Sequence, residues 1–251
     1  MTPTIFVQGL LLLGELAVLG SSIMDAGNEL LKQLALCVAT GRPWLGLPTN
    51  RRHVIVVNFA DFGYHWIKSA KAIVRRLGAK DPSADWLEVH LCREGDPANL
   101  GLLRKWLRVH PGSLVVVDWF DKLTGNRRAG KLRKLLLDFP NASIITLGFV
   151  PKNNTLRRLE KDPQRWLDRV RPPRADVVLG LDESGSRSPL RAWCKGVLAW
   201  RRRGDVQILP PRVTEDVLAS GTLVMFAARA KESKLARPVP ALREVREGAQ
   251  T

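Results

Sequence analysis

Short apolar runs alternate with amphipathic segments through the first 150 residues of the chain. The runs at 54–58 and 114–117 consist almost wholly of β-branched residues and leucine, which is typical of strands covered on both faces. In the segments between the runs, apolar residues recur at helical spacing. The pattern predicts strands at 14–20, 51–59, 87–91, 113–118 and 142–147, and helices at 28–40, 64–77, 99–109 and 130–139.

Alternation of strands and helices favours right-handed crossovers and a mainly parallel sheet with helices on both faces, so the predicted fold class is α/β. Residues 175–181, 192–200 and 205–209 predict closing strands, which we expect to be antiparallel because only turn-like segments separate them. One more helix is predicted within 214–231. From Ser233 onward, proline and charge replace the apolar pattern. We therefore expect one domain over 1–230 and a flexible tail over 231–251.

The charge balance is strongly basic. Forty Lys and Arg residues against 24 Asp and Glu give a net charge of +16 and a pI near 10.6. Such an imbalance favours an acidic polymer as partner, and nucleic acid is the natural candidate. The basic residues cluster at 122–134, 152–158, 165–174 and 201–203.

Cysteine and histidine spacing limits the chemistry that the sequence predicts. The three cysteines, Cys37, Cys92 and Cys194, have no CxxC spacing, which indicates a reducing, cytoplasmic compartment. His53, His65, His90 and His110 lack metal-ligand spacing with cysteines or carboxylates, so no metal site is predicted. No activated nucleophile is evident either.

The apolar stretch 5–19 near the N-terminus is short, and Gln8 and Glu15 interrupt it. No basic leader precedes it. We therefore expect neither a signal peptide nor a membrane span there, and no membrane partner.

Two segments carry a resemblance to a known family. Residues 9–19, GLLLLGELAVL, and 34–46, LALCVATGRPWLG, resemble the RepA-like branch of the RecA superfamily, hexameric ATPases and helicases of plasmid and phage replication. The resemblance extends over about residues 5–210. It implies a RecA-like three-layer sandwich, in which 114–118 corresponds to the Walker B strand and 175–179 to a late strand before a basic closing hairpin.

The phosphate loop is where the sequence departs from that family. A working GxxxxGK[ST] loop wraps backbone amides around phosphates, neutralises them with Lys and lends a hydroxyl to Mg²⁺. The corresponding stretch here runs from Gly20 to Glu29, and an ungapped comparison with the family places Gly27 at the Lys and Asn28 at the Ser/Thr. Sliding by one residue places Asn28 and Glu29 there instead. Neither register restores the motif, so the Walker A motif is predicted to be degenerate.

The resemblance also implies a catalytic glutamate after the strand at 54–58. The sequence has Ala60 in that column, or Asp61 if the register slips by one. Asp118 is retained at the end of the Walker B strand, where the family holds Mg²⁺ through water. It can equally be an ordinary loop carboxylate at a strand end.

Loops after the later strands face the centre of a ring or filament in RecA-like assemblies. The resemblance therefore implies phosphate contacts by basic residues of these loops: Arg127, Arg128, Lys131, Arg157 and Arg158. At the predicted hairpin tip, the related ATPases place a basic residue that reaches a neighbour's nucleotide. Without a nucleotide, the arginines there would bind DNA or an acidic partner, or form a solvated turn: Arg201, Arg202 and Arg203.

The expected function is that of a noncatalytic RecA-like protein without a cofactor, which binds nucleic acid or a protein of the replication or recombination machinery. One alternative is an active ATPase that uses ATP and Mg²⁺ with Asp118 and Asp61. A second alternative is a protein-interaction module that binds a RecA-like protein or a polymerase. The sequence leaves open a monomer, a dimer with a partner protein, or a nucleotide-independent filament.

Overall fold

A computed structural model of the 251-residue chain describes residues 5–8, 10–21, 24–44, 47–59, 63–83, 85–93, 96, 99–118, 129–150, 167–168, 170, 175–183, 196–202, 205–209, 211–213 and 225–227. Most of the described chain lies in the first 150 residues, where the alternation of strands and helices is clearest. The predicted tail over 231–251 lies outside these residues.

The centre of the fold is an eight-stranded sheet. Its strands, in the order in which they lie side by side, are β10 (Asp205–Leu209), β9 (Gly196–Arg202), β8 (Val177–Glu183), β3 (Leu16–Ser21), β7 (Ser143–Phe149), β6 (Leu114–Val117), β4 (Val54–Asn58) and β5 (Leu87–Leu91). The strands from β8 to β5 are parallel, and β9 and β10 add to β8 as an antiparallel hairpin.

Two small antiparallel pairs accompany the central sheet. The first joins β1 (Ile5–Val7) to β2 (Leu11–Leu12), and the second joins β11 (Pro211–Val213) to β12 (Met225–Ala227). The N-terminal apolar stretch thus folds into β1, β2 and β3. Among the residues that the structure describes, no helix is long and apolar enough to cross a membrane.

Helices cover both faces of the sheet. One face packs against α1 (Met24–Thr40) and α2 (Gly63–Arg76), and the other against α3 (Asn99–Val109) and α4 (Ala129–Asp138). Side chains of one strand alternate between these two cores, so that Val54 and Val56 face α1 while Ile55 and Val57 face α3. This arrangement confirms the predicted three-layer α/β sandwich.

The end of α1 shows how local sequence sets a boundary. Gly41 has a φ of 70°, a left-handed conformation that glycine adopts without a steric penalty. The Arg42 N–H donates to the Cys37 carbonyl at 2.9 Å, and the Gly41 N–H donates to the Val38 carbonyl at 3.3 Å. These two bonds form a Schellman cap, which confirms the helix end predicted from Gly41.

Three sequence predictions need correction. Strand β8 is parallel to β3 and not antiparallel, because the long connection after β7 carries the chain back across the sheet. Residues 225–227, within the predicted helix at 214–231, form strand β12. Helix α1 begins at Met24, four residues before the predicted start at Asn28.

Two glycines allow close packing around the end of β3. A Cβ at Gly20 would fall on the Val170 side chain and 3.0 Å from Val150 Cγ2. A Cβ at Gly27 would lie 2.6 Å from Leu147 Cδ1 and 2.9 Å from Ser21 Cβ. Helix α1 can therefore approach β3 and β7 only because position 27 has no side chain.

We expect Gly20→Ala to lower the free energy of unfolding by about 1–3 kcal/mol, since the added methyl group overpacks the core beside Val170. Gly101→Ala on α3 is the matched control, because a Cβ there meets nothing within 4 Å. The Gly101→Ala variant should have a free energy of unfolding up to about 1 kcal/mol higher than the unaltered chain, because alanine has a higher helix propensity than glycine. Urea unfolding of both variants measures the contrast, and equal stabilities would contradict the packing argument.

Candidate nucleotide site and basic surfaces

The candidate nucleotide site begins where β3 leads into α1. Strand β3 ends at Ser21 and α1 begins at Met24, so residues 22 and 23 alone lie between them. Gly20 belongs to the strand, and Met24 to Gly27 belong to the first turn of the helix. In a working phosphate loop these residues would curve around the phosphates. Here strand and helix take up most of the sequence that corresponds to the loop.

The two positions that should carry Lys and Ser/Thr are occupied differently. Gly27 is buried against Ser21 and Leu147, which leaves no space for a side chain in this packing. Asn28 is half-buried, and its amide oxygen has no hydrogen-bond partner among the described residues. In the ungapped register, therefore, neither position supplies a cationic side chain to a phosphate.

The first lysine of the chain, Lys32, is bound elsewhere. Its Nζ lies 2.8 Å from Glu29 Oε1 and 2.5 Å from Ser69 Oγ on α2. The Trp66 ring centroid is 5.9 Å from the same ammonium group. Lys32 is 7% exposed. The hydrogen bond to Ser69 joins α1 to α2. The ion pair lies within α1 and compensates the carboxylate of Glu29, the residue at the Ser/Thr position in the alternative register.

Asp118 lies directly after β6 at the carboxyl edge of the sheet. Its two carboxylate oxygens each accept the Phe59 N–H at 2.9 Å, and its own N–H donates to the Val57 carbonyl at 3.1 Å. These bonds connect the end of β6 to the end of β4. Strand β7 lies between β6 and β3, so Asp118 is two strands, or about 10 Å, from the end of β3.

The two cysteines that the structure describes, Cys37 and Cys92, are poor nucleophiles. Burial, followed by the charges of Asp118 and Asp96, raises the pKa of the Cys92 thiol. Burial raises the pKa of Cys37 to about 12. Both cysteines are free thiols. Both thiols therefore stay protonated at neutral pH.

The structure places part of the predicted basic surface. Lys131 is exposed in the first turn of α4, which starts from the carboxyl side of the sheet. Arg201 and Arg202 end β9, and Arg202 pairs with Asp205 across the predicted hairpin. Because Arg202 also pairs with Val177, at the start of β8, Arg202 and Asp205 lie at the amino edge of the sheet, away from Asp118 of the same chain.

Six predicted site residues lie outside the part of the chain that the structure describes. They are Ala60, Arg127, Arg128, Arg157, Arg158 and Arg203. The catalytic-glutamate position and most of the predicted phosphate contacts therefore stay predictions.

A second basic surface lies on α2, and it was not among the basic clusters predicted from the sequence. Four of its cationic residues are exposed, and the helix contains no acidic residue: Lys68, Lys71, Arg75 and Arg76. Three of them recur at positions 68, 71 and 75, one side of a helix. The helical spacing of these charged residues is visible in the sequence, but they alternate with the apolar residues from which the helix was predicted. We call these four residues the α2 basic surface.

Comparisons with known proteins agree with this architecture. A family model described as an AAA domain matches residues 28–131. A crystal structure of a KaiC-like protein from the hyperthermophilic archaeon Pyrococcus horikoshii is similar in fold, with a TM-score of 0.50 and 12% sequence identity. The similarity covers 88% of this chain and 93% of that one. No curated protein matches the sequence. The fold is therefore that of the RecA-like P-loop proteins.

We expect Asp118→Ala to lower the free energy of unfolding by about 1–3 kcal/mol, because the Phe59 N–H then has no charged acceptor. The control is Asp138→Ala, whose carboxylate forms a half-exposed ion pair with Arg104 and should contribute only about 0–1 kcal/mol. Chemical denaturation of both variants tests the difference. An Asp118 variant as stable as the Asp138 variant would show that the bond to Phe59 is dispensable.

Proposed function

We propose that this RecA-like protein does not hydrolyse ATP and acts as a nucleic-acid-binding or scaffold subunit in DNA replication, recombination or repair. The observation that carries the proposal is the start of α1 at Met24, within the sequence that should form the phosphate loop. The helix leaves too few residues to wrap a triphosphate. We further propose that the protein acts in the cytoplasm, where free thiols persist.

Charge supports the same conclusion. A triphosphate at the end of β3 would meet no lysine at position 27 or 28, and Asp25 and Glu29 add carboxylates to the same stretch. The first lysine after that stretch, Lys32, already binds Glu29. Loss of the charge-assisted hydrogen bonds, with repulsion added, should cost several multiples of about 1.5 kcal/mol.

The family match supports the loss of the loop while the fold is retained. The matched segment starts at residue 28, directly after the position of the glycine and lysine of the motif. It includes α1 from Asn28, strands β4, β5 and β6, and Asp118. The family model thus matches the helix and strands that follow the phosphate-loop segment, whereas residues 20–27 of that segment lie outside the match.

A role in binding nucleic acid follows from the positive charge. The net charge of +16 favours a polyanionic partner. Lys131, one of the predicted phosphate contacts, is an exposed cation on the described part of the chain. Such contacts to phosphates need no base readout, so we propose binding that depends weakly on sequence.

Nucleotide binding tests the first half of the proposal. Titration with labelled ATP and Mg²⁺ should show no saturable binding and no turnover by the full chain. The double variant Gly27→Lys/Asn28→Ser restores the motif residues, yet it should gain no ATP affinity and should be about 1–3 kcal/mol less stable, because a Cβ at position 27 overlaps Leu147. Tight, Mg²⁺-dependent binding by the unaltered chain would favour the active-ATPase alternative.

Salt-titrated binding to single- and double-stranded DNA tests the second half. Replacing Arg127, Arg128, Arg157 and Arg158 by Gln should reduce the slope of log Kobs against log salt on duplex DNA by about 0.9 for each phosphate that these arginines neutralise. The matched control replaces the α2 basic surface by Gln, which removes the same number of charges and should change the slope little.

Three outcomes of this experiment are distinguishable. Equal reductions of the slope in both variants would show that net charge alone drives binding, and a reduction confined to the control would move the contact surface to α2. No DNA binding by the unaltered chain would favour the protein-interaction module, which then requires a RecA-like or polymerase partner. Size measurement with and without DNA, in the same buffers, reports the oligomeric state.

A further inference from the structure

A cluster of three histidines and one glutamate lies at the amino edge of the sheet, opposite to the edge that carries Asp118. His53 directly precedes β4, Glu88 and His90 lie on β5, and His110 follows the end of α3. The pairing of β4 with β5, in which Ile55 is opposite Glu88, brings Glu88 to the same face of the sheet as α3. Residues far apart in sequence thus converge, which explains why spacing alone indicated no metal site.

The distances around Glu88 are those of a metal-binding shell. Its Oε1 atom lies 3.5 Å from His53 Nε2 and 3.3 Å from His110 Nε2. One ligand atom from each of the three residues lies within 4.8 Å of the others. Ligands at about 2.0–2.1 Å from a tetrahedral Zn²⁺ are about 3.3–3.4 Å from each other. The two measured distances match that separation.

Hydrogen bonds of neighbouring residues orient the His53 ring. The Ser113 hydroxyl donates its only proton to the His110 carbonyl at 2.7 Å. It must therefore accept from His53 Nδ1, which lies 2.9 Å away. With the proton on Nδ1, neutral His53 carries its lone pair on Nε2, the atom that faces Glu88. Metal-binding histidines are oriented in this way by a partner of their second nitrogen.

Glu88 is oriented as well. Its other oxygen, Oε2, is 2.9 Å from His90 Nε2, and the His90 ring stacks on Trp106 with 3.7 Å between centroids. The carboxylate also lies close to the C-terminal end of α3, which favours a cation.

Binding of a metal by both rings requires a local movement. The His53 and His110 rings are stacked, with 3.7 Å between centroids and 12° between planes. Parallel rings cannot both direct an in-plane lone pair to a single point. His110 is the ring that can tilt, because a third of its side chain is exposed whereas His53 is buried.

We propose that His53, Glu88 and His110 bind one divalent transition-metal ion, with Zn²⁺ the best match to two imidazoles and a carboxylate. His90 and Ser113 are positioning residues for Glu88 and His53. The bound ion would connect β4, β5 and the turn after α3, and so stabilise the amino edge of the sheet. A cluster held together only by hydrogen bonds and protonated histidines is the competing explanation.

Equilibrium dialysis of the full chain against Zn²⁺, followed by metal analysis, tests the proposal. We expect one Zn²⁺ per chain and an increase in the thermal unfolding midpoint with Zn²⁺ concentration. Co²⁺ should bind with the visible absorption of a tetrahedral site. Glu88→Gln and His110→Ala should each weaken Zn²⁺ binding by about 10-fold or more, and Ser113→Ala by about 10–100-fold through the orientation of His53.

His65→Gln is the matched control, because His65 belongs to α2 on the other side of the sheet. This variant should bind Zn²⁺ as tightly as the unaltered chain does. Glu88 and His110 are partly exposed, so their variants should fold, which circular dichroism verifies. Absence of Zn²⁺ binding by the unaltered chain would overturn the proposal in favour of the hydrogen-bonded cluster. Unchanged binding by both ligand variants would show an adventitious ion only.

Discussion

The close contact between the first turn of α1 and strands β3 and β7 is the constraint on which the rest of the structure depends. Gly27 permits it, since any side chain there would overlap Leu147 and Ser21. Once the helix approaches so closely, it can begin at Met24, and the chain needs few residues to turn out of the strand. A phosphate loop needs the opposite arrangement, a helix that starts later and a backbone that stays open.

The electrostatics follow from this packing. A lysine that contacts phosphate would have to extend from the first turn of α1. The first lysine of this chain, Lys32, lies further along α1 and faces α2. There it forms a buried ion pair with Glu29 and a bond to Ser69. Such a pair satisfies both charges within the protein, so the folded state requires no bound anion to compensate Lys32. Packing and internal charge pairs therefore contribute to the stability of this region.

Much of the fold could be predicted from the sequence, because the buried parallel strands are runs of valine, isoleucine and leucine that few other structures accommodate. The start of α1 could not, because glycine and aspartate at 25–27 have low helix propensity and only tertiary packing explains their helical state. The direction of β8 depended on a crossover that local patterns do not reveal.

The candidate site was predicted unevenly for a related reason. Residues of the phosphate-loop segment are consecutive, so their departure from the motif is visible in the sequence. The Phe59–Asp118 bond and the histidine cluster instead join residues from different strands, and only the register of the sheet shows that they meet. Spacing rules for metal ligands assume a short local chelate. The proposed ligands instead lie before β4, on β5 and after α3.

A parallel sheet separates residues that precede its strands from those that follow them. Ligands of open α/β folds usually bind at the carboxyl ends of the strands, where the loops and helix N-termini gather. In this chain, α1 begins at Met24, within the phosphate-loop segment at the carboxyl edge. The Asp118 carboxylate at the same edge accepts a hydrogen bond from the Phe59 N–H. The amino edge instead carries an oriented carboxylate between histidines. The two edges are separated by the length of the strands. The metal binding proposed at one edge and the loss of nucleotide binding proposed at the other are therefore independent, and a test of one would not decide the other.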